Sequence, residues 1–295
     1  MSPAHLLLAG LIASVWGFNF YISKLGVNHV PPIFFGAYRY ILVFVLLLPW
    51  LKPLKGQMGR VAAIALTSGA LHFGFILLGF QMTEHVGPVA IALQVNIPFM
   101  VLLAILLLGE KVGVYRLGGM VLGFAGIMII GFDPVAFQDP AALAAVITGG
   151  LFFGTSIILM RRLDGGHPMQ VQAWVAAISL PFLLGASAIV EEGQIQSVID
   201  FGWLGVAVIL FTSIGASIIG HGGMFFLLQR YPVTFLVPVL IAPPILGVFF
   251  GVWLNDDPIT TKIALGGLMT IGGVGIIQVR EAVAARRKEI HEAGV

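Results

Sequence analysis

Two side-chain amides stand close together in an otherwise apolar stretch of this chain. Gln94 and Asn96 lie within residues 88–109, and Pro98 follows Asn96 by two. Each amide brings donors and an acceptor that apolar surroundings leave unmet, and a proline withholds a backbone N–H as well. Such groups could receive the ammonium and carboxylate of a small zwitterion. The matched place in 233–254 holds Ala242, Pro243 and Pro244, so both segments are expected to be interrupted there, where a transporter would hold its substrate. A plain kink is the competing reading. His72 lies four residues after Ser68, and His221 ends a stripe of Ser213, Ser217 and His221 along one helix face. Trp16, Asn19 and Ser23 share another face, and Ser156 matches Asn19 later in the chain. Tyr38, Arg39 and Trp174 complete the candidates for contact with a small-molecule substrate.

Each candidate has a structural alternative. A serine in an apolar helix commonly bonds back to its own backbone, and a lone histidine can simply bridge two helices. Tryptophans are often packing or belt residues, a role that Trp174 fits and the deeper Trp16 fits less well. An arginine at the centre of a membrane helix costs roughly 2.5–3.5 kcal/mol. Arg39 is therefore read first as a structural residue whose stem reaches the outer interface, with binding of a substrate carboxylate as the alternative. Glu110 is expected to pair with Lys111, Arg116 or a neighbouring helix rather than to carry protons.

No motif points to catalysis. The chain has no cysteine, which excludes disulfides and thiolate metal sites, and it lacks His-Glu-x-x-His, Gly-x-Ser-x-Gly and Walker patterns. Gly273-Val274-Gly275 follows no strand and lacks the third glycine of a nucleotide fingerprint. Neither a metal nor a cofactor is expected. The net charge of +2 comes from scattered basic residues and does not suggest nucleic acid.

The elements that position these residues follow from composition. Hydrophobic residues make up 59% of the 295 and charged residues 9%, against roughly 25% charged in a soluble protein. Mean hydropathy is +1.03. Apolar runs at about 4–23, 32–51, 61–82, 88–109, 115–132, 141–160, 168–190, 203–228, 233–254 and 262–279 each approach the ~20 residues of a membrane-crossing helix. They are continuous rather than alternating, which favours helices over a barrel. The expected fold is an all-α membrane protein of ten transmembrane helices in the lipid bilayer. The first run has no basic residue before it and carries part of an internal repeat, so it is not read as a cleaved signal peptide.

That repeat organises the chain. Gly17 recurs as Gly154, His72 as His221 and Gln81 as Gln229. Leu117-Gly118-Gly119, Gly123 and Gly126 recur as Leu265-Gly266-Gly267, Gly272 and Gly275. Within a single membrane domain, the first repeat spans 4–134 and the second 141–280, leaving 281–295 as a tail. Five spans per repeat, an odd number, turn the second copy upside down, as in the inverted repeats of secondary transporters. Orientation follows from loop charge. With the N-terminus inside, the inner segments hold Lys52, Lys55, Arg60, Lys111, Arg116, Arg161, Arg162, Arg230, Arg280, Arg286, Arg287 and Lys288, and the outer loops only Lys24 and Lys262. Both termini are then cytoplasmic. Gly119-x-x-x-Gly123, Gly150-x-x-x-Gly154 and the glycines of the last span permit close helix approach, within one chain or in a homodimer.

Val15-Trp16-Gly17-Phe18-Asn19-Phe20, Leu107-Leu108-Gly109-Glu110-Lys111, Gly220-His221-Gly222 and Leu227-Leu228-Gln229-Arg230-Tyr231 together resemble the EamA branch of the drug/metabolite transporter superfamily. Within the branch the likeness is to exporters of O-acetylserine and cysteine. The resemblance implies a ten-helix bacterial inner-membrane exporter of amino acids or related metabolites, with Asn255-Asp256 replacing Gly-Glu in the second copy. Alternating access is the expected mechanism. A channel, a receptor-like binding protein and, behind them, an intramembrane enzyme are the other readings.

Overall fold

The computed structural model describes residues 2–108, 114–133, 140–231 and 233–292. Glu110 and Lys111 fall outside them, as do all of residues 134–139. Ten helical rods account for nearly all the described residues. They are α1 (Pro3–Val27), α2 (Pro32–Leu47), α3 (Met58–Gln81), α4 (86–108), α5 (Val114–Gly131), α6 (Pro140–Arg161), α7 (Pro168–Val190), α8 (194–228), α9 (Val233–Leu254) and α10 (Thr261–Glu292). Among the described residues, α1, α2, α3, α6, α7 and α8 are each long and apolar enough to cross a membrane, while α4, α5 and α9 contribute shorter apolar stretches. Large apolar side chains cover the outside: Ile189 is 84% exposed and Trp203 82%. Such a periphery suits hydrocarbon, not water.

Helix starts follow local chemistry. Pro3, Pro32, Pro140 and Pro168 occupy first turns, where the missing N–H costs nothing. Where a start lacks a cap of its own, another helix supplies one. The Glu191 carboxylate at the end of α7 accepts from the N–H groups of Ile33 (2.7 Å) and Phe34 (2.9 Å) at the start of α2. Asp257, after α9, accepts from Val86 (2.7 Å) and Gly87 (2.8 Å) at the start of α4. Both satisfy orphan donors and place negative charge at a positive helix end. Gly202 takes φ 59°, a left-handed conformation open to glycine, and there the chain turns from a short helix at 194–201 into the long arm of α8.

Two rods depart from α-helical winding. α3 opens into π-helical turns over Ala65–Leu71, immediately before His72, and α8 does so over Phe211–Gly222, which includes His221. In α4 a 3₁₀ turn at Leu93–Val95 falls directly before Asn96 and Pro98. α9 by contrast runs as one helix through Pro243 and Pro244. The expected pair of proline interruptions is thus found on one side only. Each proline in α9 loses a donor without ending the helix, and the matched irregularity lies instead in α3 and α8.

Packing between the rods is reciprocal. α1 lies against α8 and α9, and α6 lies against α3 and α4, while α2 pairs with α7 and α5 with α10. Small residues allow this. A side chain on Gly154 would press into the Asn96 carbonyl of α4, and one on Gly149 into the His72 carbonyl of α3. Between α5 and α10, Gly126 meets the Gly266 carbonyl and Thr270, while Gly273 meets the Gly119 carbonyl. These glycines therefore join helices within one chain.

The loops sort into two ends. At one, Gln57 donates to the Asp164 carbonyl (2.7 Å), Gln170 to that of Lys52 (2.6 Å), Gln229 to that of Gly166 (2.8 Å), and His5 meets the Tyr231 hydroxyl (2.6 Å). At the other lie the Glu191 and Asp257 caps and the bond from Lys262 to the Phe132 carbonyl (2.9 Å). Lys24, expected in a loop at this second end, is instead buried in the last turn of α1. That helix extends to Val27, and Lys24 Nζ donates to the Phe80 carbonyl at 3.1 Å.

Candidate functional site

Midway along the rods, α1, α3, α4, α6, α8 and α9 leave a cavity of about 100 Å³ between them. On that measure one water needs ~10–15 Å³, so the space suits several waters or one small metabolite. Both repeats contribute to its wall.

Its polar side chains come mostly from the first repeat. Asn19 and Ser23 enter from α1, one turn apart, with Asn19 Nδ2 donating to Ser23 Oγ at 3.2 Å. Asn19 Oδ1 is buried and has no hydrogen-bond partner, an acceptor at the cavity wall that a ligand donor would satisfy. Gln94 and Asn96 enter from α4 where the 3₁₀ turn gives way to α-helix. His72 enters from α3. Its Nδ1 lies 2.9 Å from the Gly149 carbonyl of α6, so that nitrogen carries the proton and Nε2 is the atom left for other partners.

The apolar wall is aromatic and built from two like pairs. Trp16 of α1 packs on His221 of α8, with ring centroids 5.0 Å apart, and Phe153 of α6 packs on His72 of α3 at 4.8 Å. Trp16 and Phe153 are repeat equivalents, one residue before Gly17 and Gly154. Phe73 joins the pairs, 4.9 Å from His72 and 5.8 Å from His221. The widened turns hold this arrangement, since π winding frees carbonyls for neighbouring helices. Trp16 Nε1 donates to the Ala216 carbonyl (3.2 Å) and Ser179 Oγ to that of Ala65 (2.9 Å).

Of the residues singled out in sequence, Trp16, Asn19, His72, Gln94, Asn96, His221 and Pro243 meet at the cavity. The others are engaged elsewhere. Ser156 Oγ bonds back to the Phe153 carbonyl (2.7 Å), the usual habit of a helical serine. Ser213 Oγ donates to the Arg39 carbonyl (3.0 Å), and Ser217 Oγ to that of Thr212 (3.1 Å). Tyr38 stacks on Phe34, and Trp174 Nε1 donates to the Lys52 carbonyl at the end of the bundle, a belt position. Pro244 lies in α9 but outside the lining, and the side chain of Pro98 is not among those described. Ser23, which shares the face of Trp16 and Asn19, also lines the cavity, as do Phe20, Phe73 and Phe153, which the sequence reading does not single out; the match between Phe153 and Trp16 is the signal for one of them.

Arg39 does not reach an interface. It is 1% exposed, its Nε donates to Ser217 Oγ at 2.6 Å, and its guanidinium lies 4.3 Å from the centroid of the Phe73 ring. The stem points inward because Ser217 on α8 offers an acceptor and Phe73 a π face, both nearer than the bundle end.

The cavity therefore combines amide and imidazole groups with aromatic rings. Such a lining can hold a small amphipathic molecule by hydrogen bonds and by ring contacts. Residues 4–132 and again 140–279 match the EamA-like transporter family. A protein of Escherichia coli described as a probable amino-acid metabolite efflux pump is 24% identical over 285 residues, covering 94% of this chain and 95% of its own. Its namesake from Salmonella typhimurium is 25% identical, covering 94% and 95%. An uncharacterised transporter of Bacillus subtilis is 25% identical, covering 89% and 92%. One crystal structure, 15% identical, superposes over 98% of this chain and 100% of its own with a TM-score of 0.64, a likeness of fold alone. With the doubled family match spanning almost the whole chain, the protein belongs to the EamA-like transporter family and is a multi-pass membrane transporter of small molecules.

Proposed function

We propose that this protein exports amino acids or closely related metabolites across a bacterial plasma membrane by alternating access. The observation that carries the reading is the mid-bundle cavity, walled by both repeats, which Asn19, Gln94 and Asn96 line together with two histidine–aromatic pairs. Hydrogen-bonding groups of that kind suit the polar end of an amino acid, and the rings suit its side chain. The names of the relatives from Escherichia coli and Salmonella typhimurium point to the same cargo class.

In this reading ten helices cross the bilayer as two inverted repeats, 4–134 and 141–280, followed by the tail 281–295. The basic loop end, where Gln57 meets Asp164, is cytoplasmic together with both termini. The end held by Glu191 and Asp257 is external. Reciprocal packing of α1 on α8 and α9, and of α6 on α3 and α4, supports the two-fold relation. The halves rock about the cavity, and the π turns in α3 and α8 are where the helices bend.

Counterflow in proteoliposomes tests this. Vesicles preloaded with unlabelled L-methionine are expected to accumulate labelled L-methionine transiently and saturably. Equal, unsaturable flux with and without preload would support a channel. No flux across a panel of amino acids would refute the cargo class.

A further inference from the structure

The cavity wall hides a cation without a counter-ion. Arg39 is 1% exposed, and its buried Nη2 has no hydrogen-bond partner among the described residues. Guanidinium offers five N–H donors, of which Nε is spent on Ser217 Oγ. Among the described residues no carboxylate lies within ion-pair distance of Arg39. What Arg39 does touch is Phe73, over whose ring its guanidinium lies, and Phe73 lines the cavity. The charge therefore stands one side chain behind the wall, beside His72 and His221, which contact that same ring.

A buried guanidinium without a carboxylate partner attracts an anion through its charge, which little water screens there. The side chains lining the cavity carry no acid to compete for it. We propose that Arg39 is the charge-selecting residue of the cavity, drawing the carboxylate of the cargo toward the Phe73 wall and discriminating against molecules that lack one. The proposal rests on the cavity being the substrate site. It adds what the amides and rings cannot supply, a preference between a carboxylate and a neutral group of the same shape. Arg39 acts here as a specificity residue, since Phe73 stands between it and the cavity.

The test uses the full chain in detergent and two probes of equal shape, butyrate and butyramide, at matched ionic strength. Near ten times its Kd, a ligand binding only the folded state adds ~1.4 kcal/mol, or about 4 °C in Tm. Butyrate is expected to raise the parental Tm by about that much more than butyramide does. Arg39→Gln should abolish the difference. Arg39→Lys, which keeps the charge but not the planar seat over the Phe73 ring, should retain part of it and covers the case in which Arg39→Gln fails to fold. A second arm follows exchange of labelled L-methionine in competition with methioninamide. The parent is expected to favour the carboxylate about tenfold, and the lysine variant markedly less.

Three results would overturn the proposal. One is parental discrimination in both variants. Another is a parent that responds alike to butyrate, butyramide and chloride. The third is an Arg39→Lys protein that loses methionine and methioninamide transport to the same extent. If butyrate stabilises through Arg39 while methionine is not moved, the anion site stands and the amino-acid reading falls.

Discussion

The two repeats place matched residues around one cavity but load them differently. In the first, Asn19 presents a bare acceptor to the cavity, and Gln94 and Asn96 stand at the turn in α4. Their counterparts in the second are Ser156, turned back on its own helix, and Ala242 and Pro244, which cannot donate through a side chain. The histidines differ too. His72 is anchored to the Gly149 carbonyl, whereas His221 makes no hydrogen bond to a described residue and is held by rings alone. Side-chain amides are thus concentrated on one half of the cavity, while the aromatic pairs are shared. A duplicated scaffold can keep its two-fold packing and still bind an asymmetric molecule if only one copy carries the polar groups.

The strongest way to break this comparison is through the helix contacts that hold the halves together. Gly126 and Gly275 are repeat equivalents, yet a methyl on Gly126 would strike the Gly266 carbonyl and Thr270, and one on Gly275 meets open space. Gly126→Ala is expected to destabilise by about 1–3 kcal/mol. Gly275→Ala should be neutral or stabilising by up to ~1 kcal/mol, since alanine is the better helix former. Thermal unfolding in detergent measures both, and equal losses would mean that α5 and α10 do not pack as described.

Next in size come the amides. Asn96→Ala and Asn19→Ala should each lower counterflow about tenfold, the loss of one ligand hydrogen bond of ~1.4 kcal/mol, with folded yield maintained. Ser156→Ala should stay within about twofold of the parent, because its hydroxyl serves only its own backbone. If the serine variant falls as far as Asn19→Ala, polarity is not confined to the first half.

The histidines give a smaller effect. His72→Ala removes an interhelical bond worth ~0.6 kcal/mol on average in membrane proteins, whereas His221→Ala removes only ring contacts. The first should lower both Tm and transport, the second transport alone. A Tm loss for His221→Ala matching that for His72→Ala would show that the rings, not the Gly149 bond, anchor the site.

Much of this was legible in the sequence because burial in lipid is so restrictive. Apolar length alone separates the rods, and the repeat pairs His72 with His221 and Asn19 with Ser156. The pairing of Trp16 with Phe153 was equally visible through the glycines that follow them. What stayed hidden depends on tertiary geometry. Nothing in Ala65–Leu71 or Phe211–Gly222 forbids ordinary α-helix, so the π turns arise from neighbours that use the freed carbonyls, as Trp16 and Ser179 do. The proline pair in α9 looked like a break and is not one, because a helix held on both sides tolerates two missing donors. Arg39 was read outward from its distance to the helix end, a measure blind to Ser217 and Phe73 waiting inside. Lys24 misled for the opposite reason, since α1 continues a full turn past its apolar run.

The central claim is that the cavity opens in turn to both sides of the membrane. The chain contains no cysteine, so a single Leu93→Cys, in the turn of α4 that lines the cavity, reports without background. An impermeant maleimide applied to right-side-out and then to inside-out vesicles measures its accessibility. Labelling from each side, slowed from both by the same saturating amino acid, is the predicted result. Labelling from one side only, or at rates the amino acid leaves unchanged, would contradict it.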